Sequence, residues 1–516
     1  MTGNSRTFNS LKNISSGLLT QVVQMILGFI TRTIFIQYLA VEYLGVNSLF
    51  TNILSMLSLA ELGIGSAFIY ELFKPLANAD TVTVATIIRF FRKVYAWVGG
   101  FIFVSGLVLL PFLDQLIDGT KTKLDYDIHW IYLIFLFNSA STYFFSYKIS
   151  LLDADQKSAI ATFNSMKFMI LQNLLQIFIL ITTQNFILYL IVQSITGLAS
   201  NFYISRLVNR RYPYLNDHNS HTIKPELREN IIKNAKATFL IRIGGVLVNG
   251  TDNIIINYFV GLTLLGIYSN YVLLVSMISG VLIIIFSNIR SSIANVTVTD
   301  SLDKQRSVFT SLNFINFWLY GLCFLWIIFC TDPLIQMWIG HKFIMSQKIT
   351  LLLAINFFMV GMQTSFWTFK SVYGFFEQGK YMVLLTALLN LVLSFVLGYY
   401  YGIFGVLLAT AIARLVTNFW YDPYIVITQG LKMVPIDYLK RFTKYVFVII
   451  LSSFFVNLLH WVRLPIGIIQ FITFGIFSFI IFNFLLYLFF RKSEEFHQVM
   501  GLFRTAVQFL RVKINR

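Results

Sequence analysis

The chain has 516 residues, 57% hydrophobic, 17% aromatic and only 12% charged, with mean hydropathy +0.74 and a net charge of +17. A soluble protein of this length would divide into several cores of ordinary composition; no segment offers one, and the apolar runs are those of a membrane protein. The positive charge, which in a soluble chain would point to nucleic acid, belongs here to loops. The two cysteines, Cys323 and Cys330, share one apolar run and imply no disulfide framework.

A span needs roughly 20 apolar residues. In chain order, fourteen candidates fall near 14–38, 44–62, 94–112, 130–147, 159–182, 186–205, 237–260, 263–289, 314–338, 349–369, 381–400, 403–429, 445–461 and 466–490. The first run contains Gln and Arg and no small-residue cleavage site follows it, so it reads as a retained helix and not a secretory signal. With the N-terminus in the cytoplasm and the spans alternating, 31 Lys and Arg fall in inner segments and 5 in outer ones. The remaining three, Arg32, Arg242 and Arg414, lie within spans. That asymmetry predicts both termini on the cytoplasmic side and leaves nucleic-acid binding without support.

An internal repeat emerges at a shift of 220, where RTIFIQY at 32–38 aligns with DNIIINY at 252–258. One residue of slippage later, Leu44-Gly45 matches Leu265-Gly266. At a shift of 222, Lys148 falls on Lys370, Asp155 on Glu377 and Gln156 on Gln378. The expected architecture is all-α and polytopic, with two six-helix lobes, 1–206 and 237–429, joined by a cytoplasmic linker at 207–236 and followed by two extra spans and a tail at 430–516. Six is even, so both copies cross the membrane in the same sense. In such parallel repeats the transport site is expected between the halves.

Polar positions in the first span, Asn13, Gly17, Gln21, Gln24, Gly28, Thr31 and Arg32, recur at helical spacing. Arg242, Gly245, Asn249, Asp252, Asn253 and Asn257 do so in the seventh. Ionised groups at mid-membrane cost at least about 2.5–3.5 kcal/mol and face protein or water. Both stripes are therefore expected to line a wet cavity. Arg414 lies deep in the twelfth span, with Asp422 as a candidate structural partner, while Glu61 and Lys370 read as interfacial. Arg32, Arg242 and Arg414 against Asp252 make a cationic balance, and arginine forks match phosphate oxygens. The substrate is expected to carry an anionic group, a phosphate or diphosphate. No Walker loop, HExxH, CxxC or GxSxG pattern occurs, so neither a catalytic nor a metal site is expected.

The stretch RTIFIQYLAVEYLGVNSLFTNILSMLSLAELGIGSA, with LLDADQK at 151–157, RYPYL at 211–215, TDNIIINYFVG at 251–261, LGIYSNY at 265–271 and FEQGKY at 376–381, resembles the bacterial polysaccharide repeat-unit (Wzx-type) flippases. These share a superfamily with multidrug exporters and the lipid II flippase. The resemblance implies movement of an undecaprenyl-diphosphate-linked oligosaccharide across the bacterial cytoplasmic membrane by alternating access, in exopolysaccharide, capsule or O-antigen assembly beside a polymerase and glycosyltransferases. By that likeness Arg32 binds diphosphate, helped by Arg242 or Arg414, with Gln21, Gln24, Asn249 and Asn253 lining the cavity. Asp252 and Asn253 would suit a coupling Na⁺ or H⁺, and no other cofactor is implied. A lipid II or teichoic-acid precursor flippase and a cation-coupled multidrug exporter remain as alternatives.

Overall fold

The computed structural model describes residues 3–61, 64–117, 126–216, 223–375, 377–461, 467–501 and 504, and every regular element among them is helical. This follows from the solvent: in hydrocarbon each backbone N–H and C=O must find its partner within the protein, and a helix supplies it locally. In chain order the α-helices are α1 (Gly3–Tyr38), α2 (Glu42–Leu57), α3 (Ile64–Ala77), α4 (Thr81–Leu109), α5 (Leu113–Ile117), α6 (Ile128–Ala154), α7 (Ser158–Thr183), α8 (Phe186–Arg211), α9 (Pro225–Gly250), α10 (Asp252–Thr299), α11 (Leu302–Ile339), α12 (Gln347–Val372), α13 (Lys380–Val416), α14 (Asn418–Ile425), α15 (Pro435–Asn457) and α16 (Ile468–Phe490).

Ten helical stretches among the described residues are long and apolar enough to cross a membrane. The difference from fourteen apolar runs has local causes. The runs at 381–400 and 403–429 fall in one stretch, Tyr381–Gly430. The run at 44–62 is cut when α2 gives way to a 3₁₀ turn at Ser58–Glu61. The run at 237–260 is cut at Thr251, between α9 and α10, and the run at 445–461 is cut when α15 ends at Asn457 and a 3₁₀ turn follows at Leu458–Trp461. Two long helices also hide a break. Gly261 (φ 83°, ψ 173°) in α10 and Gly402 (φ 57°, ψ −133°) in α13 leave the helical region, in conformations open chiefly to glycine.

Contacts group the chain into two compact units, Met1–Ser269 and Asn270–Arg516. In the first, α1 lies along α7, α4 packs on α6, α6 on α8 and α3 on α9. Its core holds Phe68 and Phe91, stacked at 4.0 Å, with Tyr95 and Tyr143. In the second, α11 is central, packing on α12, α15 and α16. Phe317 stacks on Tyr445 at 4.1 Å, and Trp318 Nε1 donates to Asn483 Oδ1 at 2.9 Å. The two additional C-terminal helices thus flank α11 while α16 turns Ile476, Phe479, Ile480 and Phe484 outward.

Each unit ties its polar turns with a knot of charged and polar side chains. In the first, the LLDADQK turn places Gln156 at φ 59°. Lys157 Nζ meets Asp155 Oδ2 at 2.5 Å, and the Tyr212 hydroxyl donates to the same oxygen at 2.6 Å. Burial and that carboxylate push the Tyr212 hydroxyl well above its ordinary value. Asn13 of α1 closes the knot, donating to the Gln156 carbonyl at 3.2 Å and accepting from the Ala159 N–H at 2.9 Å. In the second, Lys370 Nζ meets Asp422 Oδ1 at 2.5 Å, and Trp367 Nε1 donates to Asp422 Oδ2 at 3.1 Å. Lys370, in the last turn of α12, is largely buried as the partner of Asp422.

A buried pair with one member removed leaves an uncompensated charge. Asp422→Ala is expected to destabilise the detergent-solubilised protein by about 3–5 kcal/mol, and Lys370→Met with Asp422→Leu by clearly less. Thermal unfolding of the single and double variants checks this, and equal losses in both would refute the pairing.

Candidate functional site

The first stripe forms on α1 as its spacing predicts, and the structure divides its work. Asn13 and Thr31 serve packing: Asn13 bridges the α6–α7 turn, and Thr31 Oγ1 donates to Asn173 Oδ1 of α7 at 2.6 Å. Gln21 is half-buried and Gln24 is exposed. Gln24 lies two residues after Val22 and two before Ile26, so it projects from the side of the helix opposite theirs. Val22, Ile26, Leu18 and Ile30 form an exposed apolar row. α1 therefore shows two uncovered surfaces of opposite character, one suited to lipid and one carrying amides.

Arg32 closes the stripe. Its guanidinium donates to the hydroxyl of Ser269 on α10, with Tyr189 beside it. Ser269 is itself buried and donates to the Gly266 carbonyl at 2.6 Å. The guanidinium is thus turned into the protein on the same side of α1 as the other polar residues.

The second stripe is divided between two helices that meet at Thr251, which itself keeps right-handed helical dihedrals (φ −79°, ψ −28°). Of the expected single helix from Arg242 to Asn257, Arg242 and Asn249 belong to α9 while Asp252 and Asn253 open α10. The side chains of Arg242 and Asn249 lie outside the described residues. Asp252 and Asn253 are half-buried. Asp252 stands in the first turn of α10, where a carboxylate suits the helix N-terminus, with the buried Tyr268 near it.

Arg414 is half-buried in the last turn of α13, just before the chain leaves helical geometry at Thr417 (φ −118°, ψ −103°). The membrane-length stretch that holds it runs on to Gly430, and Asp422 of the next helix is engaged by Lys370 and Trp367. Glu61, expected at an interface, sits in the 3₁₀ turn after α2 and accepts from the buried Tyr95 hydroxyl at 2.7 Å. Sequence reading missed Ser269, Tyr189 and Tyr95, each far along the chain from the charge it serves.

No family's sequence pattern and no curated protein matches this chain. Solved structures do. One is a lipid II flippase MurJ in an inward closed conformation, at TM-score 0.63 and 15% identity over 92% of this chain and 98% of that one. The chain has the fold of the MOP-superfamily transporters. A second such structure is a multidrug resistance MATE family transporter in an inward-facing conformation, at TM-score 0.58 and 13% identity over 81% of this chain and 99% of that one. A third is a MOP superfamily transporter from Pyrococcus furiosus whose description cites a binding pocket of reverse polarity, at TM-score 0.52 and 14% identity over 83% and 96%. With this fold and ten membrane-length helical stretches, the chain is a multi-pass membrane protein.

In native membranes, Gln24→Cys is expected to react with a water-soluble maleimide, while Ile26→Cys stays protected by lipid. Labelling of both at equal rates, or of Ile26→Cys alone, would show that the amide side of α1 is not the wet one.

Proposed function

We propose that the protein is a flippase that carries a polyprenyl-diphosphate-linked oligosaccharide from the cytoplasmic to the outer leaflet of the bacterial cytoplasmic membrane, with both termini in the cytoplasm. The observation that carries this reading is a cation, Arg32, drawn inward on the same stripe of α1 as the exposed Gln24. A guanidinium beside amides suits an anionic sugar-linked headgroup: the arginine fork takes phosphate oxygens and the amides take hydroxyls. A pump for cations would place carboxylates there. Arg414 and Arg242 are further candidate cations for the diphosphate, and Asp252 with Asn253 is the candidate site for a coupling Na⁺ or H⁺. The two lobes, 1–206 and 237–429, would exchange access between the leaflets, and α15 and α16 would flank the second of them.

A lipid II flippase is the second reading. The span of the structural likeness favours it: 92% of this chain aligns with MurJ against 81% with the MATE transporter. The two differ in the headgroup, a peptide-bearing disaccharide or a peptide-free oligosaccharide.

Proteoliposomes loaded with defined polyprenyl-diphosphate sugars separate them. Translocation of peptide-free oligosaccharides supports the leading reading; translocation restricted to lipid II supports the second; export of a cationic dye with neither lipid moved overturns both. Arg32→Ala is expected to remove a charge-assisted contact of about 1.5–3 kcal/mol, hence roughly tenfold or more of diphosphate affinity. Arg32→Ala with unchanged translocation would exclude Arg32 from the headgroup site.

A further inference from the structure

The internal repeat pairs Lys148 of α6 with Lys370 of α12, and the two copies satisfy that lysine differently. In the second unit Lys370 meets a carboxylate, Asp422, at 2.5 Å. In the first unit Lys148 Nζ donates to a hydroxyl, Ser205 Oγ of α8, at 2.5 Å and lies 5.6 Å from the centre of the Tyr147 ring. The first unit also gains a cation. α4 begins at Thr81 and α11 at Leu302. That shift of 221 carries Arg92 onto Asn313, a neutral residue that accepts from the Ser365 hydroxyl at 3.1 Å. Arg92 stands close to both the Tyr147 hydroxyl and Lys148. Among the described residues neither Arg92 nor Lys148 makes an ion pair. Two like charges side by side, with a hydroxyl where the other copy has a carboxylate, call for an anion from outside the described chain.

The setting of the pair selects the anion. Gly99 of α4, two turns from Arg92 on the same side of the helix, faces α6. A Cβ there would stand 3.1 Å from Tyr143 Cβ and 3.8 Å from Phe144 Cε2. Arg92 and Lys148 therefore flank the α4–α6 seam. Along α6, Trp130, Phe137 and Phe144 recur every seven residues and each is half exposed or more, which makes them the strip that meets lipid. Lys148 stands one turn beyond Phe144 on that strip, about 9 Å before the end of α6 at Ala154. At that depth a lysine lays its stem along apolar surface and lifts its ammonium to the headgroups. Beside it on α4, Trp97 and Phe101 are exposed too. Aromatic surface directly beneath two cations matches a phosphate that carries acyl chains, not a soluble anion.

We infer that Arg92, Lys148 and Ser205 form a binding site for the phosphate of an anionic phospholipid, held at the lipid-facing seam of α4, α6 and α8 with its chains along Phe144 and Phe137. Basic pockets between transmembrane helices take anionic headgroups in this way. The Arg92 fork and the Lys148 ammonium share the phosphate oxygens. Ser205 accepts from Lys148 and keeps its own proton to donate. The site lies apart from the stripe of α1, and it holds a resident lipid rather than a transported one. In the orientation proposed above that lipid belongs to the inner leaflet; binding itself does not depend on the transport reading.

The test follows thermal unfolding of the detergent-solubilised protein as phosphatidylglycerol, phosphatidylcholine or inorganic phosphate is added. Phosphatidylglycerol is expected to raise the midpoint by about 3 °C or more, phosphatidylcholine by clearly less, and inorganic phosphate not at all. Arg92→Gln with Lys148→Gln is expected to remove the gain. Ser205→Asp gives Lys148 the internal carboxylate that Lys370 has. It is expected to weaken phosphatidylglycerol binding at least tenfold while the midpoint in neutral detergent stays at or above the parent's, which separates lost binding from lost folding. Equal gains from the two phospholipids, the full gain from inorganic phosphate alone, or an undiminished phosphatidylglycerol gain in both variants overturns the site.

Discussion

A charge or an unbonded polar group inside hydrocarbon has to find a partner, and most of the internal organisation of this protein is a set of answers to that demand. Lys370 and Asp422 answer it with each other and with Trp367. Glu61 answers it with Tyr95, and Asp332 with the Tyr271 hydroxyl at 2.8 Å and Thr350 at 3.3 Å. In each of these cases the partner comes from another element, so the satisfied charge is also a tie between elements. Such ties fix relative positions that apolar packing alone leaves loose, because lipid competes for apolar surface as well as any neighbouring leucine does.

The same demand explains where α1 differs from its neighbours. A 36-residue helix that packs chiefly along α7 has more surface than one neighbour covers. Its apolar row can face lipid at no cost. Its amides cannot, and the polar stripe is divided between Asn13 and Thr31, which bond to other helices, and Gln24, which is left uncovered. That division separates the part of the stripe that bonds to other helices from the part left uncovered.

Much of this was legible in the sequence. Apolar run length gave the helices, and the recurrence of polar residues at three and four positions gave the stripe of α1, because both properties are local and periodic. The boundary at Thr251 between α9 and α10 was lost because hydropathy averages over a window and cannot see a change at one residue. The Lys370–Asp422 pair was lost for a different reason. Its members are 52 residues apart and no periodicity joins them; Asp422 had been placed beside Arg414, its nearer neighbour in sequence. Two segments of the family-like pattern, LLDADQK and RYPYL, turn out to meet through Asp155, Lys157 and Tyr212. Their pairing marks them as architecture.

Gly45 and Gly266, matched by the internal repeat, constrain each other through the backbone. A Cβ on Gly45 would overlap the Leu262 carbonyl oxygen, and one on Gly266 the Val41 carbonyl oxygen. A side chain gained at either glycine must therefore be answered by a backbone shift in the facing segment, so neither position can change alone.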